Sequence, residues 1–166
     1  CDGMAVWSNG QLNGEGVLPP ADAVGALIAF LGQKPVDRIY ATSSLAEHFA
    51  PAAGFADLAS GVLAIPISRV AQDYLLFFRR EVIQTVTWGG NPDKAVQRDP
   101  VSGKLNPRSS FDAWKETVRG HARPWTPSEI RVAETLRVAL LEVILRRSEL
   151  IASERQQAQD SQSLLI

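Results

Sequence analysis

One cysteine and two histidines in 166 residues leave little room for soft-ligand or redox chemistry. Cys1 has no second cysteine to bridge, and neither His48 nor His121 has a partner at the spacing that holds a metal ion. Cys1 is expected to be a small buried hydrophobe at a strand start, and His48 an ordinary polar residue of a short helix. Gly-x-Gly-x-x-Gly, Walker and Gly-x-Ser-x-Gly patterns are absent, which removes the usual sequence signs of a phosphate cradle or an activated serine. No acid/base pair stands out, so an enzyme is the weakest class. A surplus of one charge is also missing. The 17 Lys and Arg face 18 Asp and Glu, a net charge of −1, and the broad electrostatic case for nucleic acid or an anionic membrane falls away. No apolar run reaches the roughly 18 residues needed to cross a bilayer, and Cys1-Asp2-Gly3-Met4 lacks the parts of a signal peptide. The expectation is a cytoplasmic protein. Starting without Met and entering a strand at once, the chain reads as part of something longer.

What is present is the material of one globular domain, with 45% hydrophobic residues and enough length to bury its own core. The opening alternates as a strand through Trp7, and Ser8-Asn9-Gly10 signals a hairpin turn. After Pro19-Pro20, the apolar residues Val24, Leu27, Ile28 and Leu31 recur at helical spacing over Ala21 to Leu31, with Gly32 as the expected C-cap. Val36 to Tyr40 reads as a strand. Ser43 and Ser44 can cap a short helix over Leu45 to Phe49, which Pro51 should stop. Three strands follow, Val62 to Ile67, Tyr74 to Arg79 and Val82 to Thr87, whose short connections favour antiparallel pairing.

From Trp88 to Arg123 the composition turns polar and rich in Gly and Pro across roughly 35 positions, far beyond an ordinary connection. Asp99-Pro100-Val101-Ser102-Gly103 suits a type I turn near the middle, so the excursion is expected to go out and return as a hairpin. Within it, Ser109 to Arg119 satisfies two incompatible structures. As a helix it is capped by Ser109 and places Phe111, Trp114, Lys115 and Val118 on one face. As a strand it sends Phe111, Ala113 and Lys115 to one side and Ser110, Asp112 and Trp114 to the other. Pro107 marks a natural boundary for any change between the two. Aromatic anchors and an arginine on a polar arm suit docking on another surface, and a solvated loop with its aromatics tucked into its own domain is the alternative.

Thr126-Pro127-Ser128-Glu129 is a capping box with Pro at the first helical position. The helix it opens carries Ile130, Ala133, Leu136, Leu140, Leu141 and Ile144, which should pack on the sheet. Beyond Arg146 it turns polar and reads as a helix leaving the domain. Leu136, Val143 and Leu150 recur every seven residues, with Leu140 between them, while Arg147 and Glu154 interrupt the seam. The helix has no histidine, so the phosphoacceptor of two-component signalling cannot sit on it.

These residues together resemble the PHY domain of phytochromes, above all bacteriophytochromes. The likeness is carried by Ala59-Ser60-Gly61-Val62-Leu63-Ala64-Ile65-Pro66, Phe78-Arg79-Arg80-Glu81, Trp88-Gly89-Gly90-Asn91-Pro92 and PRSSF at Pro107 to Phe111. Arg80 departs from the family, which usually has Pro between the Arg and the Glu. The resemblance implies an α+β, GAF/PAS-like fold: an antiparallel sheet flanked by helices, with a long tongue hairpin and a long C-terminal helix. It implies a PHY domain over 1–146 with the tongue at 88–123, and a helical linker over 147–166 toward an output module.

The resemblance further implies a regulatory part of a red/far-red photoreceptor, whose tongue seals the chromophore pocket of a GAF domain in the same polypeptide. Tongue and pocket contacts would come from Trp88, Gly89, Gly90, Pro107, Arg108, Ser110, Phe111 and Trp114. Arg108 would pair with a GAF aspartate in one photostate and Ser110 would contact it in the other, with Trp88 and Trp114 exchanging packing positions as the tongue passes from hairpin to partial helix. The signalling helix would act through Leu136, Leu140, Val143 and Leu150, joining a homodimer, parallel or antiparallel. Biliverdin or a related bilin belongs to the intact receptor and none to this chain. Cys1 is not the attachment site, and any histidine kinase activity belongs to the parent. The rival reading is a stand-alone GAF-like sensor of a small molecule.

Overall fold

Asn9 and Gly10 both take positive φ, 52° and 75°, the backbone that a two-residue hairpin turn requires. They join β1 (Gly3–Ser8) to β2 (Gln11–Gly16) in the expected antiparallel register, with Ser8 opposite Gln11 and Gly3 opposite Gly16. The computed structural model describes residues 1–35, 37–68, 72–82, 84–89 and 113–163. α1 (Ala21–Leu31) buries the four residues that the 3.6-residue period singled out, Val24, Leu27, Ile28 and Leu31. Gly32 caps it in a right-handed conformation, its amide donating to the Ile28 carbonyl, so no left-handed residue is used there.

β3 is shorter and later than expected, Tyr40–Thr42. Its pairing partner β4 sets its extent, since only these three residues face Val62 to Ala64. α2 (Leu45–His48) follows and ends, as expected, ahead of Pro51, with Phe49 extended; Pro51 then belongs to a new element. It stands in the first turn of a 3₁₀ helix, Ala50–Phe55, where a missing amide hydrogen costs nothing.

β4 (Gly61–Pro66) and β5 (Tyr74–Arg79) pair antiparallel at the centre of a five-stranded sheet of order β2-β1-β5-β4-β3. Alternation divides these two strands between two cores. Val62, Ala64, Tyr74, Leu76 and Phe78 face α1, α2 and the 3₁₀ helix, whereas Leu63, Ile65 and Leu75 face the C-terminal helix. Burial on both faces explains why the two segments read as continuous apolar runs.

The third expected strand does not join this sheet. Val82 is exposed, and β6 (Gln84–Gly89) pairs instead with β7 (Ala113–Val118) in a separate two-stranded antiparallel sheet. The edge of β5 that a third strand would need is already occupied by β1. Cys1 is exposed, because β1 begins two residues later. Among the described residues no helix is long and apolar enough to cross a membrane.

α3 (Pro127–Ser163) runs 37 residues, about 55 Å. Ala133, Leu136 and Leu140 rest on Leu63, Ile65 and Leu75. From Glu142 to Ser161 every residue is exposed.

Candidate functional site

The hairpin formed by β6 and β7 leaves the domain between the end of β5 and the start of α3, and both of its roots are tied down. Its register places Trp88 opposite Trp114 and Gly89 opposite Ala113. On the outgoing side, the Arg80 amide donates to Asp2 Oδ2 at 2.9 Å and the Arg80 Nε to the Asp57 carbonyl at 3.3 Å. The two roots meet where the Val82 amide donates to the His121 carbonyl at 2.8 Å and the Gly120 amide to Glu81 Oε1 at 2.5 Å. On the return, the Ala122 amide donates to the Ser43 carbonyl at 2.7 Å, and His121 Nε2 lies 3.7 Å from Glu47 Oε1.

Gly61 makes this close return possible. A Cβ at that position would stand 2.8 Å from the Ala122 Cβ and 3.2 Å from the Arg79 Cβ. Ala122 is correspondingly buried, at 5% exposure. The returning chain thus lies on the end of β4 because neither partner carries a large side chain.

Arg79, the last residue of β5, is the centre of the arrangement. It follows five apolar or aromatic residues and is only 3% exposed. Nη1 donates to the carbonyls of Arg123 at 3.0 Å and Pro124 at 2.8 Å, and Nη2 to Glu129 Oε1 at 2.5 Å. Its guanidinium stacks 3.7 Å above the Trp125 ring, a geometry that adds a cation–π attraction. Trp125 is itself oriented by donation from Nε1 to the Thr42 carbonyl at 3.1 Å.

Glu129 serves two masters, Arg79 and the helix cap. The Thr126 amide donates to Glu129 Oε2 at 2.8 Å, and the Glu129 amide donates to Thr126 Oγ1 at 3.2 Å, the reciprocal box expected from the sequence. The bond from the Thr126 amide, aided by Arg79, holds this carboxyl at about 2, below its ordinary 4.5 and against the opposing effect of burial. Beside the cluster lies an apolar groove of about 310 Å³ between the sheet and α3, lined by Leu63, Phe77, Trp125, Val132, Ala133 and Leu136.

The expected site residues are divided by this geometry. Trp88 and Gly89 lie in β6 and Trp114 in β7. Gly90, Pro107, Arg108, Ser110 and Phe111 lie outside the described residues, as do the Asp99 to Gly103 turn and the Ser109 cap. Leu136 and Leu140 are half-buried against the sheet, while Val143 and Leu150 are each 63% exposed. Arg79 and Trp125 were not expected at all as a pair. Their only sequence signal is an arginine closing an apolar strand and a tryptophan just ahead of a capping box.

Comparison with known proteins gives consistent results. The family described as "Phytochrome region" matches residues 1–149. Cyanobacterial phytochrome B of Nostoc sp. is 40% identical over 151 residues, covering 90% of this chain and 20% of that protein. Bacteriophytochrome RpBphP3 from the photosynthetic bacterium R. palustris superimposes with a TM-score of 0.68 and 41% identity, over 88% of this chain and 29% of that one. The Stigmatella aurantiaca phytochrome photosensory core module gives a TM-score of 0.65 and 35% identity, over 87% and 29%. The chain spans about a fifth of the length of the curated relatives it matches.

Proposed function

The chain belongs to the phytochrome family as its PHY region, and from that premise we propose that it is the regulatory module of a red/far-red bilin photoreceptor. The single observation that carries the reading is the β6–β7 hairpin, rooted beside the first turn of the long helix. Its outer part, the tongue, reaches the GAF domain of the same polypeptide, seals the bilin pocket and stabilises one photostate. Arg108 pairs there with a GAF aspartate in one state, and Ser110 takes over in the other. Phe111 anchors the tip, Pro107 bounds the refolding segment, and Gly89 and Gly90 follow Trp88, which exchanges its place with Trp114. A bidentate arginine–carboxylate pair in a water-poor pocket is strong, and breaking it exposes a buried charge.

The bilin, biliverdin or a relative, is held by the PAS and GAF modules of the parent. The exposed Cys1 takes no part in holding it on this reading. The domain spans 1–146, and 147–166 leads toward an output module, a histidine kinase in one form of the parent. The rival, a small-molecule sensor that holds its ligand between the sheet and α1, meets a space already filled. Val24, Leu27, Leu45, Val62, Leu76 and Phe78 are fully buried between the sheet and its helices.

The test is Arg108→Ala in the intact receptor. Photoconversion should weaken or thermal reversion change, with bilin attachment retained. Spectra and reversion kinetics equal to those of the parent would remove the ion-pair switch.

A further inference from the structure

We propose that Arg79 is a positioning residue that transmits the position of the hairpin's returning root to the first turn of α3, a role that rests on the light-receptor reading above. One guanidinium holds three consecutive parts of the chain. It binds the carbonyls of Arg123 and Pro124, it covers the ring of Trp125, and it pairs with Glu129 inside the helix cap. The segment it grips begins directly after His121 and Ala122, whose backbone is tied to the outgoing root and to Ser43. A rotation or shift of β7 that displaces this root also moves the two carbonyls that Arg79 binds.

Stability alone does not explain an arginine here. Taking a guanidinium out of water is costly, and an apolar residue of similar volume often serves a buried position as well or better. What a planar fork adds is geometry, several donors fixed relative to one another, which a flexible ammonium does not reproduce. At Arg79 the fork ties the carbonyls of the connecting segment and the capping carboxylate into one rigid unit. When the segment moves, Nη2 carries Glu129 with it, and the same carboxylate accepts from the Thr126 amide that begins the helix. The groove beside Val132 and Leu136 lies along the same first turns of α3.

The experiment uses the intact receptor loaded with biliverdin, comparing the parent with Arg79→Lys. Absorption spectra report photoconversion, and hydrogen exchange reports the light-minus-dark difference over residues 127–141. Arg79→Lys should photoconvert normally, because the pocket is untouched, while the exchange difference falls about five- to tenfold. Normal photoconversion with an undiminished difference overturns the relay alone, as does a parent that photoconverts with no difference in α3. A parent without photoconversion removes the receptor reading and the relay with it. If Arg79→Lys also loses amide protection in β4 and β5, Glu129→Gln decides. It keeps an oxygen for the Thr126 amide and lacks the charge, so a diminished difference supports the relay and an undiminished one overturns it.

Discussion

At the scale of single residues, the chemistry concentrates on groups that look unremarkable in the sequence. Glu129 is the clearest case, since a common capping residue becomes the acceptor for a buried arginine. Its carboxyl is held at about 2 when folded, against an ordinary 4.5. A group whose folded value is depressed contributes stability that is complete above its unfolded value and is lost as the pH falls through the folded one. Thermal unfolding followed from neutral pH down to about 2 should therefore show the parent losing stability through this window. Glu129→Gln should be less stable at neutral pH and show a shallower acid limb. Identical acid limbs would mean that the carboxylate contributes nothing there. Gly61 makes a second residue-scale point. Gly61→Val places methyl groups where Ala122 packs, and overpacking of this kind costs about 1–3 kcal/mol. Chemical denaturation should register that loss, with faster amide exchange at Ala122, whose donation to Ser43 depends on the close approach.

At the scale of elements, α3 changes character along its length. Its first four turns are half-buried against the sheet, and residues 142–161 are solvated on every side. Leu136 and Leu140 are engaged by their own domain, so a homodimer of the kind the resemblance implies would draw its seam from Val143 and Leu150, with Ile144 and Ile151 beside them at 41% and 40% exposure. Each of these pairs is separated by one heptad, and the interruption at Arg147 would keep such a seam weak. Weak packing suits a relay, because rotating or separating paired helices then requires only a small coupling energy. Deleting 147–166 should leave the thermal midpoint of the domain nearly unchanged while weakening self-association in analytical ultracentrifugation. Leu150→Glu should have the same effect on association. A large loss of stability with unchanged association would show that the tail folds back onto the domain.

At the scale of the whole molecule, this chain carries no photochemistry of its own on the reading advanced above. Mixed with biliverdin, it should give no red-absorbing adduct that photoconverts, and such an adduct would overturn the division of labour between this region and the rest of the receptor. The architecture supports that division. Both faces of β4 and β5 are packed, one by α1, α2 and the 3₁₀ helix and the other by α3. The root of the hairpin and the first turn of the long helix are joined through Arg79, which binds the Arg123 and Pro124 carbonyls and Glu129.

Local chemistry determined much of this before any tertiary contact was known. Asn9-Gly10 dictated the first hairpin, the period of Val24, Leu27, Ile28 and Leu31 dictated α1 and its buried face, and Thr126 to Glu129 dictated the start of α3, because each depends only on neighbours within a turn. The family, too, was legible in motifs that survive as short strings. Tertiary structure alone decided the rest. β3 was shifted to Tyr40–Thr42 by the register of β4, and Val82 was excluded from the sheet because β1 already paired with β5. A 3₁₀ helix, Ala50–Phe55, followed the stop that local rules placed ahead of Pro51. The role of Arg79 depends on residues 44 to 50 positions away, on Gly61 leaving space for Ala122, and on Trp125 being held by Thr42. Such a site has no local signature, since pairing energies between distant segments arise only after the sheet has brought them together.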